Sequence, residues 1–118
     1  PVHQNVKDAI IAASELDTKL IMRPLRNTER VLNNEAVERV LDIEREKGAN
    51  TKIEDIVDLV GGVYPKVMQD GDVGVGAWSC GMVAGLIHDN PTCKELIDRI
   101  MSEAEEIIKG RLNKFAAA

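Results

Sequence analysis

The sequence predicts a mainly α-helical chain with one or two short strands. Apolar residues recur at helical spacing in several segments, capping residues stand before most of them, and aromatics are scarce. Tyr64, Trp78 and Phe115 are the whole aromatic set, 3% of the chain. An aromatic side chain buries roughly 150–250 Å². A core of Ile, Val, Leu, Met and Ala instead suits helix-on-helix packing, or a piece that completes its packing against another surface.

Taken in order, Val2, Val6, Ala9, Ile10 and Ala13 predict an amphipathic helix over about 3–16. Asp17-Thr18 reads as a turn. Lys19 to Met22 is extended, because the residue before Pro24 avoids the α region. Asn33 or Asn34 caps the next helix, carried by Val37, Val40, Leu41 and Glu44, with Glu35 placed to pair with Arg39. Gly48 ends it. Thr51 and Glu54 form a capping box for a helix whose buried stripe is Ile53, Ile56, Val57 and Val60, closed by Gly61-Gly62. A glycine-rich loop fills 70–76. Residues 77–88 return to helical spacing through Trp78, Met82, Leu86 and Ile87. Asn90-Pro91 breaks the chain, and Thr92 and Glu95 form a second capping box. The final helix runs to about Lys114, roughly 34 Å at 1.5 Å per residue.

Charge and motif content narrow the function classes. The net charge of −5 argues against a partner held through nucleic-acid phosphates. No stretch approaches the ~20 apolar residues of a membrane span. The opening residues lack the basic and apolar regions of a signal peptide, so cytoplasm is the expected location. Cys80 and Cys93 make no CxxC or zinc pattern. Gly74-Val75-Gly76-Ala77-Trp78-Ser79 puts Ser79 where GxGxxG needs its third glycine, without the preceding strand or a ribose-binding acid. Asp70 and Asp72 begin like an EF-hand loop, but Gly74 replaces the third oxygen ligand. A flexible or closely packed loop is the simpler reading.

Gly81 and Gly85 share one face of the expected helix, and each costs about 0.5–1 kcal/mol there relative to alanine. Close approach of a neighbouring helix offsets that cost, and so does a ligand-pocket wall; both readings stand. Trp78, Ser79 and Met82 sit beside these glycines at the expected loop-to-helix junction, where free amides suit a polar or anionic ligand. Trp78 alone reads equally as a core anchor. His3 and the His88-Asp89 pair meet no convincing nucleophile, and a structural or solvated role fits each. Arg23, Arg26 and Arg30 would line one face if helical, holding an anion or salt bridges. Glu103, Glu105 and Glu106 read as a solvated face.

Three stretches, in this order and spacing, carry a family resemblance: Leu20–Thr28 with its Met22-Arg23-Pro24 turn, Trp78–Asp89, and Pro91-Thr92-Cys93 leading into the long helix. Together they resemble the C-terminal part of the nitronate monooxygenase (2-nitropropane dioxygenase) family, which includes related NADH:quinone reductases. The resemblance spans nearly the whole chain. It implies an FMN-binding (β/α)₈ barrel protein in which residues 1–16 resemble the last barrel helix and 17–118 a small helical domain closing over the flavin. Members oxidise alkyl nitronates with O₂ or pass hydride from NAD(P)H through FMN to quinones. The family's phosphate-binding loops and catalytic histidine lie upstream, in the barrel. Neither His3 nor His88 matches that histidine, so no catalytic or cofactor-binding residue is carried over. The Ser79-Cys80-Gly81-Met82 turn matches a segment facing the substrate side of the flavin, which makes Trp78, Ser79 and Met82 the expected pocket lining. Met82 departs from the glutamine of many members. On this reading the chain alone holds no FMN and is inactive without its partner, the barrel. The alternative is a standalone helical interaction module that self-associates through exposed apolar faces.

Overall fold

The computed structural model describes residues 2–116, and their contacts divide into two units, 2–88 and 89–116. The described residues are mainly helical, with two short antiparallel strands. None of their helices is long and apolar enough to cross a membrane.

In the first unit, α1 spans Gln4–Ala12 and is shorter than its periodicity predicts. The Asp17 carboxylate accepts from the Ser14 amide (2.7 Å) and hydroxyl (2.8 Å), which ties 14–17 into a turn. The strands β1 (Thr18–Ile21) and β2 (Glu29–Leu32) form a hairpin in the register Thr18↔Leu32 to Ile21↔Glu29. Its connection bends sharply around Pro24, and Met22 and Arg26 take φ of 59° and 54°. Positive φ is unfavourable for side chains of this size. The buried Met22 is held by a short hydrogen bond from its amide to the Glu44 carboxylate (2.5 Å) and by Asn27 N–H donating to its carbonyl (3.2 Å). The three arginines therefore share no helical face: Arg23 and Arg26 lie in this turn, while Arg30 on β2 donates to Thr18 Oγ1 (2.9 Å).

Helix α2 spans Glu35–Lys47. Asn34 caps it by accepting from Val37 N–H (2.9 Å), and Gly48 at φ 55° ends it. Asp42–Arg45 (2.5 Å) and Lys47–Asp55 are ion pairs of this helix among the described residues, rather than the expected Glu35–Arg39. Beyond it the expected capping box is displaced. The Thr51 hydroxyl donates back to Gly48 O (2.7 Å), and Asp55 instead accepts from Lys52 N–H (2.8 Å). The segment breaks into a 3₁₀ turn, Ile53–Asp55, and α3, Val57–Val60. That break at Ile56 shifts the helical phase. Ile56 is buried as expected, but Leu59 joins it while Ile53 and Val57, also expected in the stripe, are exposed. A short α4, Tyr64–Met68, follows, with Pro65 in its first turn.

Two apolar clusters result. One joins Ile21, Val31, Val37, Val40, Ile56 and Ala77; the other joins Val6, Leu32, Val67 and Trp78. Val31 and Leu32 belong to different clusters, as do Ala77 and Trp78, because successive side chains of an extended chain point to opposite faces. The hairpin thus separates the two clusters. The expected helix over 77–88 is not formed: residues 77–80 are extended against β2, and only Met82–Leu86 turns, as a 3₁₀ helix.

The second unit is a helix, α5, over Cys93–Ile107, continued by a π turn (Ile108–Leu112) and α6 (Asn113–Ala116). Thr92 and Glu95 form the expected capping box: Thr92 N–H donates to the Glu95 carboxylate (2.8 Å) and Glu95 N–H to Thr92 Oγ1 (3.3 Å).

Asn34 also donates to Val73 O (2.9 Å) and Gly76 O (3.0 Å), so it joins α2 to the glycine loop. Asn34→Ala should cost about 2 kcal/mol in chemical denaturation. Hydrogen bonds to Ser14 hold the Asp17 carboxyl, and those to Thr92 the Glu95 carboxyl, below the ordinary carboxylate range. Each contributes stability that is complete above the unfolded pKa and is lost as pH falls through the folded one. Helicity followed by circular dichroism should therefore fall as pH drops below about 4.

Candidate functional site

Residues 78–80 lie along the free edge of β2. Leu32 N–H donates to Trp78 O (3.3 Å) and Cys80 N–H to Arg30 O (3.1 Å), with Val31 opposite Ser79. This pairing forces alternation. Trp78 turns inward and is 1% exposed, with its indole N–H donating to Val73 O (3.1 Å). Ser79 turns outward. Trp78 is thus packed in the core, the second of its two sequence readings, and presents no surface of its own here. Ser79 and Met82 are exposed.

Ser79 is held by two groups that spacing in the sequence did not bring to notice. Tyr64 OH and Ser79 Oγ are 2.7 Å apart, Ser79 N–H donates to the Tyr64 oxygen (3.0 Å), and Ser79 Oγ donates to the Glu29 carboxylate. With the serine proton on Glu29, the phenol proton goes to Ser79, and the chain of hydrogen bonds runs Tyr64–Ser79–Glu29. Three elements meet here: α4, the edge segment and the start of β2. Proline-led α4 sets Tyr64 over Ser79, and β2 begins at Glu29. Neither residue has a motif around it, since the partners are 15 and 50 positions from Ser79.

The polar row is bordered by an apolar surface. Met82, Val83 and Leu86 of the 3₁₀ turn are 50%, 62% and 77% exposed. The two glycines differ. A Cβ on Gly85 would lie 2.7 Å from Glu15 N, so the turn packs closely on the backbone after α1. A Cβ on Gly81 would come no nearer than 3.7 Å, an ordinary contact. Burial pushes the half-buried Cys80 thiol up, which keeps it protonated and poorly nucleophilic. His3 caps α1 by accepting from Asn5 N–H (3.1 Å), and so has a structural task. Two clefts among the described residues lie elsewhere: one of about 330 Å³ is lined by Glu35, Arg39 and Asp72, and one of about 460 Å³ by Asp89, Glu95, Asp98 and Arg99. Arg99 in the latter is neutralised by Asp89 (2.6 Å).

The arrangement offers hydroxyls and a carboxylate beside an apolar ledge. It suits one wall of a site for a flat, partly polar molecule.

No protein-family model matches the chain. Among solved structures it is similar to FabK from Thermotoga maritima, with 25% identity and a TM-score of 0.81. The similarity covers 98% of this chain and 35% of that one. A mutant of the same FabK matches at 23% identity and a TM-score of 0.74, over 98% and 32%. The chain thus spans about a third of the length of these proteins.

If Tyr64, Ser79 and Glu29 act as one network, Tyr64→Phe and Ser79→Ala should be non-additive in a double-mutant denaturation cycle. The expected coupling is about 1 kcal/mol.

Proposed function

We propose that this chain is the C-terminal helical segment of an FMN-dependent barrel oxidoreductase, supplying one wall of the site over the flavin. The observation that carries the reading is the FabK likeness, which takes in nearly all of this chain but a third of that one. FabK is a flavin-dependent barrel enzyme of the 2-nitropropane dioxygenase-like superfamily, and the three-stretch resemblance in the sequence points the same way. A standalone interaction module is the weaker reading, because so full a match to part of a longer fold suits a segment that continues into a barrel.

In this reading the flavin, held by the barrel, would supply the hydride and electron transfer. The residues of this chain bind and orient. Ser79, held by Tyr64 and Glu29, presents a fixed polar edge, and the 3₁₀ turn excludes water with Met82 and Val83. Met82 gives no hydrogen bond where many members have glutamine. An apolar acceptor such as a quinone therefore suits this wall better than an alkyl nitronate, whose charged oxygens need a donor. Reduction at the expense of NAD(P)H in the cytoplasm is the corresponding activity.

The test is made on the flavin-loaded polypeptide that carries these residues. Met82→Gln should raise kcat/KM for an alkyl nitronate relative to a quinone by roughly tenfold, the value of about one added hydrogen bond. A purified polypeptide without flavin would overturn the oxidoreductase reading. A flavoprotein whose substrate preference ignores Met82→Gln would overturn the quinone assignment alone.

A further inference from the structure

The protons of the Tyr64–Ser79–Glu29 row are all spent inside it. Ser79 N–H donates to the Tyr64 oxygen (3.0 Å), and the Ser79 hydroxyl donates to the Glu29 carboxylate. The contact between the Tyr64 and Ser79 oxygens (2.7 Å) then takes its proton from the phenol, because a serine hydroxyl has only one to give. A hydroxyl oxygen carries two lone pairs. The Tyr64 oxygen uses one to accept from Ser79 N–H, and Ser79 Oγ uses one to accept from Tyr64. One lone pair on each is left to face outward. Ser79 is exposed and Tyr64 is 43% exposed, so both are within reach of a ligand. Among the described residues no ion pair neutralises Glu29.

Such an edge accepts and does not donate. A ligand group that only accepts, such as a quinone carbonyl, would set lone pairs against lone pairs. A carboxylate or a nitronate would add repulsion from Glu29. A neutral group with N–H donors suits the edge. Within the flavin reading, on which this step rests, the nicotinamide of NAD(P)H brings one. Its carboxamide is uncharged, holds two N–H donors and sits on a flat ring of a kind that the exposed Met82 and Val83 can cover.

We propose that Glu29 determines the specificity of this wall. By taking the Ser79 proton it fixes the row as acceptors, and the row holds a carboxamide N–H of the electron donor's nicotinamide ring. Glu29 acts through Ser79, as a positioning residue.

The flavin-loaded polypeptide that carries these residues is titrated with three rings of nearly one shape. They are nicotinamide, its acetyl analogue (methyl in place of the amide nitrogen) and nicotinate. Flavin absorbance reports binding. Nicotinamide should bind roughly tenfold tighter than the acetyl analogue, the value of about one hydrogen bond, and nicotinate most weakly. Glu29→Gln removes the charge and offers an amide N–H to Ser79, which leaves a hydroxyl proton to point outward. That variant should lose the preference for nicotinamide and bind nicotinate roughly tenfold tighter than the unsubstituted polypeptide does. Circular dichroism checks that it is folded. Equal binding of nicotinamide and the acetyl analogue, no binding of any ring, or an equal loss for all three in Glu29→Gln would each overturn the proposal and leave the flavin reading standing. A polypeptide purified without flavin would overturn that reading, and the carboxamide assignment with it.

Discussion

The backbone pairing of residues 78–80 with the edge of β2 is the contact on which the first unit's site depends. Two hydrogen bonds, Leu32 to Trp78 and Cys80 to Arg30, make this segment extended. Extension then assigns the sides: Trp78 goes to the core and Ser79 to the surface. Had the segment been helical, Trp78 and Met82 would share one face, and Ser79 would not meet Tyr64 and Glu29. The hydrogen-bonded row and the apolar ledge beside it follow from one strand edge being filled. Filling it also leaves β2 with no free edge there to recruit another chain.

The elements that were legible in the sequence are those set by local chemistry. Asn34 and Thr92 announce their helices because a cap works within three or four residues, and Gly48 ends α2 for a similar reason. The extended run was legible as far as Ile21, but Met22, also expected extended before Pro24, takes φ of 59°. Residues 77–88 misled because Trp78, Met82 and Leu86 fit a helical period by coincidence, while the partner that decides their conformation lies at 30–32. Strand β2 itself was not anticipated: four residues next to a helix cap carry too short a pattern. The displaced cap at Asp55 has a local cause, a 3₁₀ turn after Gly48 that uses the Thr51 hydroxyl first.

The candidate site was half legible. The family resemblance pointed to the Ser79-Met82 turn as pocket lining, and Gly85 does approach a neighbouring backbone, at Glu15. Tyr64 and Glu29 were not found, because nothing in their own neighbourhoods marks them. Trp78 was read two ways, and burial decides for the core. These outcomes share a physical pattern. Spacing predicts which residues can share a helix face, but it does not reveal which distant edge a segment will join. The low aromatic content and the exposed ledge at 82–86 fit a chain whose apolar surface is completed by another body, as a third of a FabK-like fold would be.

The central claim is that the Ser79–Met82 edge forms a wall over a flavin. A crystal structure of the flavin-loaded polypeptide containing these residues tests it most directly. The account predicts Met82 and the Ser79 hydroxyl facing the substrate side of the isoalloxazine ring, with Tyr64 and Glu29 still bound to Ser79. A structure in which this edge faces solvent, away from the flavin, would contradict it.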